Sequence, residues 1–170
     1  WKGQITMEGR AYEWFGTTLR AMGEEKGMAY MHELAKQTEL RTGRNLIAQL
    51  VAAGEFKGAL SGYSQTFEVL KPMGAPVDWV PLEPVFVQLN TIMLAAQSRH
   101  PNATKLFIDF VLSKKGQEMI RSFHRVPART GVDAEPPRIF KGFKRVVQDI
   151  EAAASGEETT KLYNEIFNIR

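Results

Sequence analysis

The sequence predicts an α/β fold with a parallel sheet that is poor in strands. Short apolar segments alternate with amphipathic helical segments along the 170 residues, as they do in βαβ units. We count about three or four strand candidates against about six or seven helices, which is few strands for a complete doubly wound domain. The length provides one sizeable core or two small ones. We therefore expect part of a sheet to be missing.

The first strand candidate opens the chain, and two helices follow it. Residues 4–7 predict a short strand, residues 8–10 a turn, and a helix starts near Ala11 with apolar residues spaced by three and four. A second helix ends near Gln37. The polar residues 38–45 are typical of a turn.

A helix, a strand and another helix are predicted next. The helix beginning near Asn45 carries one apolar stripe and ends at Gly54, a suitable C-cap; the stripe is Leu46, Ile47, Leu50 and Val51. Residues 56–60 predict a buried strand. Residues 64–74 predict a helix that Pro72 and Gly74 stop.

The second half starts with a proline-rich segment, residues 75–96, where Val77–Val80 and Val85–Ala95 are the strand candidates. A proline-divided stretch of this kind often passes between domains. Asn102 is a suitable N-cap for a helix with one apolar stripe. Ile108 and Leu112 lie outside that stripe, so we expect this helix to be buried on more than one side. A Pro- and Gly-rich loop follows at 124–142, and two final helices are predicted at 143–154 and 157–168.

Composition and motifs exclude several chemistries. The chain has no cysteine, so disulfides, thiolate catalysis and cysteine-bound zinc are ruled out. The three histidines are far apart and show no metal-binding spacing, and the phosphate-loop, dinucleotide and nucleophile-elbow motifs are absent from the sequence. No enzyme is therefore predicted.

The net charge and the first residue of the chain give weaker indications of function than the motifs do. The net charge of +3 is spread along the chain and predicts no nucleic-acid partner. One basic cluster follows helical spacing in part, and we interpret it as a solvated helix face or as a surface for an acidic partner or nucleic acid: Arg138, Lys141, Lys144 and Arg145. The chain begins with Trp1 rather than Met, which is typical of a piece of a longer polypeptide.

The order of several short segments is specific. These segments are WKGQI, YEWF, TGRNLIAQLVAAGEF, GAPVDWVPLEPV, HPNATKLFIDFVLSKKGQEMI and RVPAR. Over nearly its whole length the chain resembles the extracellular solute-binding proteins of bacterial ABC importers, in the branch related to periplasmic ferric-iron-binding proteins. The resemblance implies an exported protein, periplasmic or extracellular, whose partner is a membrane permease.

The same resemblance implies a class II periplasmic-binding-protein fold, with two α/β lobes and a ligand in the cleft between them. Residues 1–80 would be lobe two, and residues 81–170 the return segment and the C-terminal helical part of lobe one. The chain would then be a C-terminal half, which accounts for the shortage of strands. Hinge positions would fall around residues 76–85.

Two turns stand where open α/β sheets hold ligands, which is beyond the strand ends and at helix N-termini. They are residues 8–11, after the first predicted strand, and residues 42–45, before the helix that begins near Asn45. Free N–H groups and the helix dipole favour anions there, and Arg44 can pair with a carboxylate or phosphate. The alternative interpretation of both turns is a helix cap without a ligand. The candidate ligand-binding residues are Glu8, Gly9, Arg10, Tyr12, Thr42, Gly43, Arg44, Asn45 and Tyr63.

Tyr63 matches the region where the ferric-binding relatives carry two adjacent tyrosines. Here its neighbours are Gly62 and Ser64, so the pair is not intact. Tyr63 is the candidate metal ligand if the cargo is Fe3+, and a stacking or hydrogen-bonding residue if the cargo is a small organic anion. We expect no resident cofactor.

The predicted function is solute binding without catalysis, in which the protein captures a small anionic solute or ferric ion for an ABC importer. An alternative is the effector-sensing domain of a transcription regulator, which shares the fold. A third possibility concerns the chain by itself, because a sheet that lacks strands leaves open edges through which copies self-associate.

Overall fold

The computed structural model describes residues 1–148 and 156–169 of the chain. The chain divides into two compact units, one made of Trp1–Gln88 with the described part of Arg145–Arg170, the other of Leu89–Lys144. These units do not coincide with the predicted lobes, residues 1–80 and 81–170, and that lobe assignment stays a prediction.

The first unit is organised around a three-stranded parallel sheet. Its strands are β1 (Ile5–Glu8), β2 (Thr38–Arg41) and β3 (Gly58–Leu60), in the order β2–β1–β3. Glu8 is opposite Arg41 in the register, and Met7 is opposite Leu60. The predicted α/β class with parallel strands is confirmed, and β1 is its central strand.

Four helices connect and follow these strands. They are α1 (Tyr12–Met22), α2 (Glu24–Ala35), α3 (Arg44–Ala52) and α4 (Ser64–Leu70), the last continued by a 3₁₀ turn at Lys71–Met73. Gly27 lets α1 and α2 approach closely, because a Cβ built there would lie 2.9 Å from the Cα of Leu19. Gly74 ends the 3₁₀ turn with a positive φ of 89°, as predicted for the stop after Pro72.

The core of this unit joins the start of the chain to its end. Its buried members come from β1, the first two helices and the C-terminal region: Met7, Ala11, Phe15, Met31, Tyr163, Ile166 and Phe167. The last helix of the unit spans Gly156–Ile166. The Tyr163 ring meets the Phe15 ring edge-on with centroids 5.4 Å apart, and its hydroxyl donates to the Glu8 carbonyl at 2.9 Å.

Tyr163→Phe is expected to lower the free energy of unfolding by about 1 kcal/mol near neutral pH, since a buried hydrogen bond is lost. Burial raises the pKa of Tyr163 above its usual value near 10. Above about pH 10 the unfolded state therefore releases a proton that the folded state keeps, and wild-type stability falls. The difference in free energy of unfolding between wild type and Tyr163→Phe, measured with urea, should therefore become smaller between about pH 8 and pH 11. A difference that stays constant over this range would contradict the prediction.

Two further strands form a separate pair in the first unit. They are β4 (Val85–Val87) and β5 (Arg145–Val147), which run parallel, with Phe86 opposite Val146. The β5 side chains are exposed, whereas those of β4 are half-buried. β4 ends next to Gln88, so the proline-rich segment belongs up to that residue to the same unit as the three-stranded sheet.

The second unit contains two consecutive helices and a Pro-rich loop. The helices are α5 (Pro101–Leu112) and α6 (Lys114–Ser122), and a 3₁₀ turn spans Pro137–Ile139. The helix in the first unit at Gly156–Ile166 is called α7 below. Gln117 is buried in α6, where its amide donates to the Val111 carbonyl at 2.8 Å and accepts from the Ala128 N–H at 2.7 Å. This side chain ties the predicted 124–142 loop to both helices.

Several predicted elements are wrong. Residues 38–41 form strand β2 instead of a turn, because pairing with β1 outweighs their polar composition. Val77–Val80 is not a strand; it stands between Pro76 and Pro81, which cannot donate to a sheet ladder. Only Val85–Val87 of the predicted strand at 85–95 is one. Of the helix predicted at 143–154, residues 145–147 form β5, and residues 149–154 lie outside the described residues.

Two predicted faces also differ. In α3 the buried residues are Ile47 and Ala48, while Leu46 is exposed. No residue of α5 is buried, and Leu106 is 71% exposed, so the prediction of burial on more than one side is wrong. Periodicity predicts the apolar stripe of α5 but not whether something covers it.

The basic cluster is not one helix face. Arg138 lies in the 3₁₀ turn and Arg145 in β5, whereas Lys141 is 3.5 Å from the carboxylate of Asp133. In the described ranges, 1–148 and 156–169, no helix is long and apolar enough to cross a membrane.

Candidate functional site

Three loops leave the three-stranded sheet at one edge. Because the strands are parallel and in register, residues 9–11, 42–43 and 61–63 all follow strand ends at the same level. The order β2–β1–β3 is that of doubly wound sheets whose ligand crevice opens between the first and third strands. This edge, called the strand-end edge below, contains most of the predicted site residues.

Glu8 ties two of these loops together from the inside. Its side chain is 4% exposed, and its carboxylate accepts hydrogen bonds from the Gly43 N–H at 2.9 Å and from the Arg10 N–H at 3.3 Å. The positive φ of Gly43, 103°, favours glycine there. The carboxylate therefore occupies N–H groups that an incoming anion would otherwise bind.

Arg44 begins α3 and reaches across to the third loop. Its Nε donates to the Ser61 carbonyl at 3.1 Å, and its Cζ lies 4.7 Å from the centroid of the Tyr63 ring. A guanidinium on an aromatic face is held flat and in place. Its two terminal nitrogens have no hydrogen-bond partner in residues 1–148 and 156–169. They remain free to bind a carboxylate or phosphate with two parallel bonds.

Ser61 adds two unusual features at the end of β3. Its backbone has a positive φ of 54°, a strained conformation for a residue with a side chain. Its hydroxyl oxygen is buried and has no hydrogen-bond partner in the described part of the chain. An unsatisfied buried hydroxyl costs about 1–3 kcal/mol, so this end of β3 is held in place by its surroundings.

A row of hydrogen bonds runs from Tyr63 to the first helix. The Tyr63 hydroxyl donates to Oε1 of Gln88 at 3.2 Å, and Nε2 of Gln88 donates to the Glu13 carboxylate at 2.9 Å. The row links the end of β3, the residue after β4 and the first turn of α1. Tyr63 is therefore fixed at both ends, by Arg44 over its ring and by Gln88 at its hydroxyl.

The structure brings some of the predicted site residues together and places others apart. Glu8 and Gly43 are bonded to each other, and so are Arg44 and the Tyr63 loop. The Arg10 and Thr42 side chains are exposed, and Gly9 is buried between strand ends with its N–H bonded to Arg41. Asn45 accepts from Thr66, and Tyr12 packs its ring edge-on against Tyr163 at 5.1 Å. Whether each residue contacts a ligand stays a prediction.

Sequence reasoning missed three residues at this edge, Glu13, Ser61 and Gln88. Glu13 follows the first predicted turn by a few residues, and Ser61 begins the Ser-Gly-Tyr stretch, so both lay beside predicted positions. Gln88 fell inside the predicted strand at 85–95, where a glutamine is easily taken for a solvent-facing residue. In the structure β4 ends at Val87, so Gln88 directly follows the strand and its side chain reaches Tyr63 and Glu13.

The arrangement suits anion binding better than metal binding. No group of three or more Asp, Glu or His side chains that could hold a metal ion occurs in the described residues. The Tyr63 hydroxyl donates a hydrogen bond to Gln88 and keeps its proton, whereas an iron ligand would be a phenolate. Arg44 is a cation with two unused NH₂ groups, and such a group binds carboxylates and phosphates.

Residues 1–144 match the family of bacterial extracellular solute-binding proteins, and the chain belongs to that family. The structure is similar to that of the periplasmic binding protein P5PA, with a TM-score of 0.72 and 22% sequence identity; the match covers 98% of this chain and 56% of that one. The predicted periplasmic-binding-protein-like fold is thereby confirmed.

An uncharacterised protein of Haemophilus influenzae is 27% identical over 112 residues, which cover 65% of this chain and 32% of that protein. The chain thus spans about half of its structural relative and about a third of its curated one. Solute binding is supported at the level of the family, and the cargo is not specified by these matches.

Proposed function

We propose that this solute-binding protein captures a small organic anion at the strand-end edge and delivers it to an ABC-transporter permease. The observation that carries the proposal is Arg44, whose guanidinium is stacked on Tyr63 with both terminal nitrogens unused in the described residues. The protein itself performs no chemical step on the solute. Export to the periplasm or cell exterior is part of the proposal.

Arg44 is well prepared to bind an anion. Its Nε is already bonded to Ser61, and the Tyr63 ring restricts its plane, so little side-chain freedom remains to be lost on binding. A bidentate guanidinium–carboxylate or guanidinium–phosphate pair is a charge-assisted interaction, roughly twice as strong as a neutral hydrogen bond. The N-terminus of α3 adds a favourable dipole.

Glu8 shapes this site without contacting the cargo. Because its carboxylate accepts from the N–H groups of Gly43 and Arg10, one backbone donor at each predicted turn is already occupied. Affinity for an anion therefore depends on the Arg44 side chain rather than on those backbone groups. We propose Glu8 as the positioning residue that fixes the loop before Arg44.

Ferric ion is the less favoured cargo. A single tyrosine, hydrogen-bonded as a donor to Gln88, provides one hard oxygen ligand at most. The comparisons give no support to the sensing-domain alternative.

Native mass spectrometry tests the proposal. The complete gene product that carries this chain is purified from its own host without denaturation, and its bound mass is measured. An organic anion without metal supports the proposal. Iron with a phenolate-to-iron absorption band would overturn it in favour of the ferric branch, and protein without any bound solute that also fails to bind added phosphates and carboxylates would overturn it outright.

Arg44→Ala is expected to weaken binding of the co-purified anion by about 100-fold, since a charge-assisted pair of hydrogen bonds is lost. Arg44→Lys keeps the charge but not the planar fork, and it should recover only part of the affinity. Arg99→Ala, which removes an exposed arginine of the second unit, is the matched control. Calorimetric titration measures all three, and equal affinity of Arg44→Ala and wild type would refute the role of Arg44.

A further inference from the structure

We propose that the row Glu13–Gln88–Tyr63 makes the site selective for anions that carry a hydrogen-bond donor, a hydroxyl or protonated amine, close to the anionic group. Gln88 is then the specificity-determining residue and Glu13 the residue that positions it. The inference rests on the proposed function, because Arg44 must first hold the anion beside Tyr63.

The carboxylate of Glu13 sets the direction of the whole row. A carboxylate only accepts hydrogen bonds, so the Gln88 side chain must turn its NH₂ group towards Glu13. The Gln88 oxygen then faces Tyr63, whose hydroxyl has to donate to it. If Glu13 is replaced by a group that also donates, the amide could take the opposite orientation, because the Tyr63 hydroxyl can accept as well as donate.

This direction decides what the row offers a ligand. The proton of the Tyr63 hydroxyl is already used, so the phenol oxygen has only acceptor capacity left. The Gln88 oxygen accepts one bond from Tyr63 and retains a second lone pair, and its nitrogen retains one N–H. Two acceptors therefore face one donor, and these groups best match a ligand that brings a donor of its own.

The position of the row limits where that donor must be. Tyr63 is the shared element, with the Arg44 guanidinium over its ring at 4.7 Å and Gln88 at its hydroxyl at 3.2 Å. An anion paired with Arg44 thus lies within the length of a small molecule from the phenol oxygen. A hydroxyl or ammonium on the carbon chain next to the anionic group spans this gap, whereas an alkyl chain offers these acceptors no partner.

Matched pairs of anions test the inference on the complete gene product. The probes are glycerol 3-phosphate against propyl phosphate, and lactate against propionate, titrated by calorimetry. We expect the hydroxylated member of at least one pair to bind about 10-fold more tightly, the effect of one satisfied hydrogen bond. Glu13→Gln and Gln88→Leu should each reduce that ratio to about 2-fold or less, whereas Glu25→Gln, an exposed carboxylate of α2, should preserve it.

The outcomes separate this inference from the function on which it rests. Equal binding within both pairs, abolished by Arg44→Ala, would overturn the inference and leave anion capture intact. A preference that survives both Glu13→Gln and Gln88→Leu would overturn it as well. Failure of the wild-type protein to bind any of the four anions would overturn the proposed function, and the inference with it.

Discussion

Gly116→Ala is expected to lower the free energy of unfolding by about 3 kcal/mol, at the upper end of ordinary overpacking effects. Gly116 is buried near the start of α6, where its N–H donates to the Ser113 hydroxyl at 3.1 Å. A Cβ at this position would lie 2.1 Å from the Phe110 carbonyl oxygen and 2.7 Å from that of Val111. Both atoms belong to the backbone of α5, so no side-chain rotation relieves the clash.

The measurement is amide hydrogen exchange across residues 101–122, combined with chemical unfolding. We expect faster exchange in the last turn of α5 and the first turn of α6, because the Ser113 cap and the junction must shift together. Lys115→Ala is the matched control, since it changes an exposed neighbour in the same helix. Amide exchange rates in Gly116→Ala equal to those of the wild type would show that α5 and α6 move apart without a loss of stability, which would contradict the prediction.

Helices were predicted well where periodicity and punctuation agree. The stop after residue 70 required only Pro72 and Gly74, two residues whose backbone restrictions act locally. The C-terminal helix α7 begins at Gly156, one residue before the predicted start. Local signals of this kind do not depend on the remainder of the fold, so a single sequence was enough to predict where these helices begin and end.

Strands were predicted less well, because their existence depends on partners elsewhere in the chain. Strand β2 has the sequence TELR and no apolar alternation, and it forms because its backbone pairs with β1. β5 spans three exposed residues and is defined by its pairing with β4, which lies far away in the sequence. Composition carries no signal for β2, and two adjacent valines are too short a signal to predict β5.

The candidate site shows the same division. Arg44 was predicted because it precedes a helix that the sequence displays locally. Tyr63 was predicted because it follows a predicted strand and matches the tyrosine region of the ferric-binding relatives. Their stacking, and the role of Gln88 between Tyr63 and Glu13, depend on long-range placement and could not be read from spacing. Glu8 was predicted as a ligand-binding residue, whereas the structure shows its carboxylate bonded to the backbone of two loops.

Glu8→Ala is expected to lower the free energy of unfolding by about 3 kcal/mol and to weaken anion binding through Arg44. The Gly43 and Arg10 N–H groups would lose a charged acceptor, and hydrogen bonds to charged groups contribute about 1.5–3 kcal/mol each. Glu8→Gln keeps one acceptor oxygen but turns an NH₂ group towards the other donor. Its free energy of unfolding is therefore expected to lie between those of the wild type and Glu8→Ala. Urea unfolding of the three proteins gives these differences.

A small anion should partly replace the missing carboxylate. In Glu8→Ala the two N–H groups at the start of α3 and after β1 are open, and formate is small enough to accept from both. The melting temperature of Glu8→Ala should therefore rise with added formate by more than that of the wild type, in which Glu8 already fills this position. An equal rise in both proteins would mean that the loops close over the vacated donors or that water satisfies them. In that case Glu8 would act through packing alone, and the free N–H groups predicted at residues 8–11 and 42–45 would not bind anions by themselves.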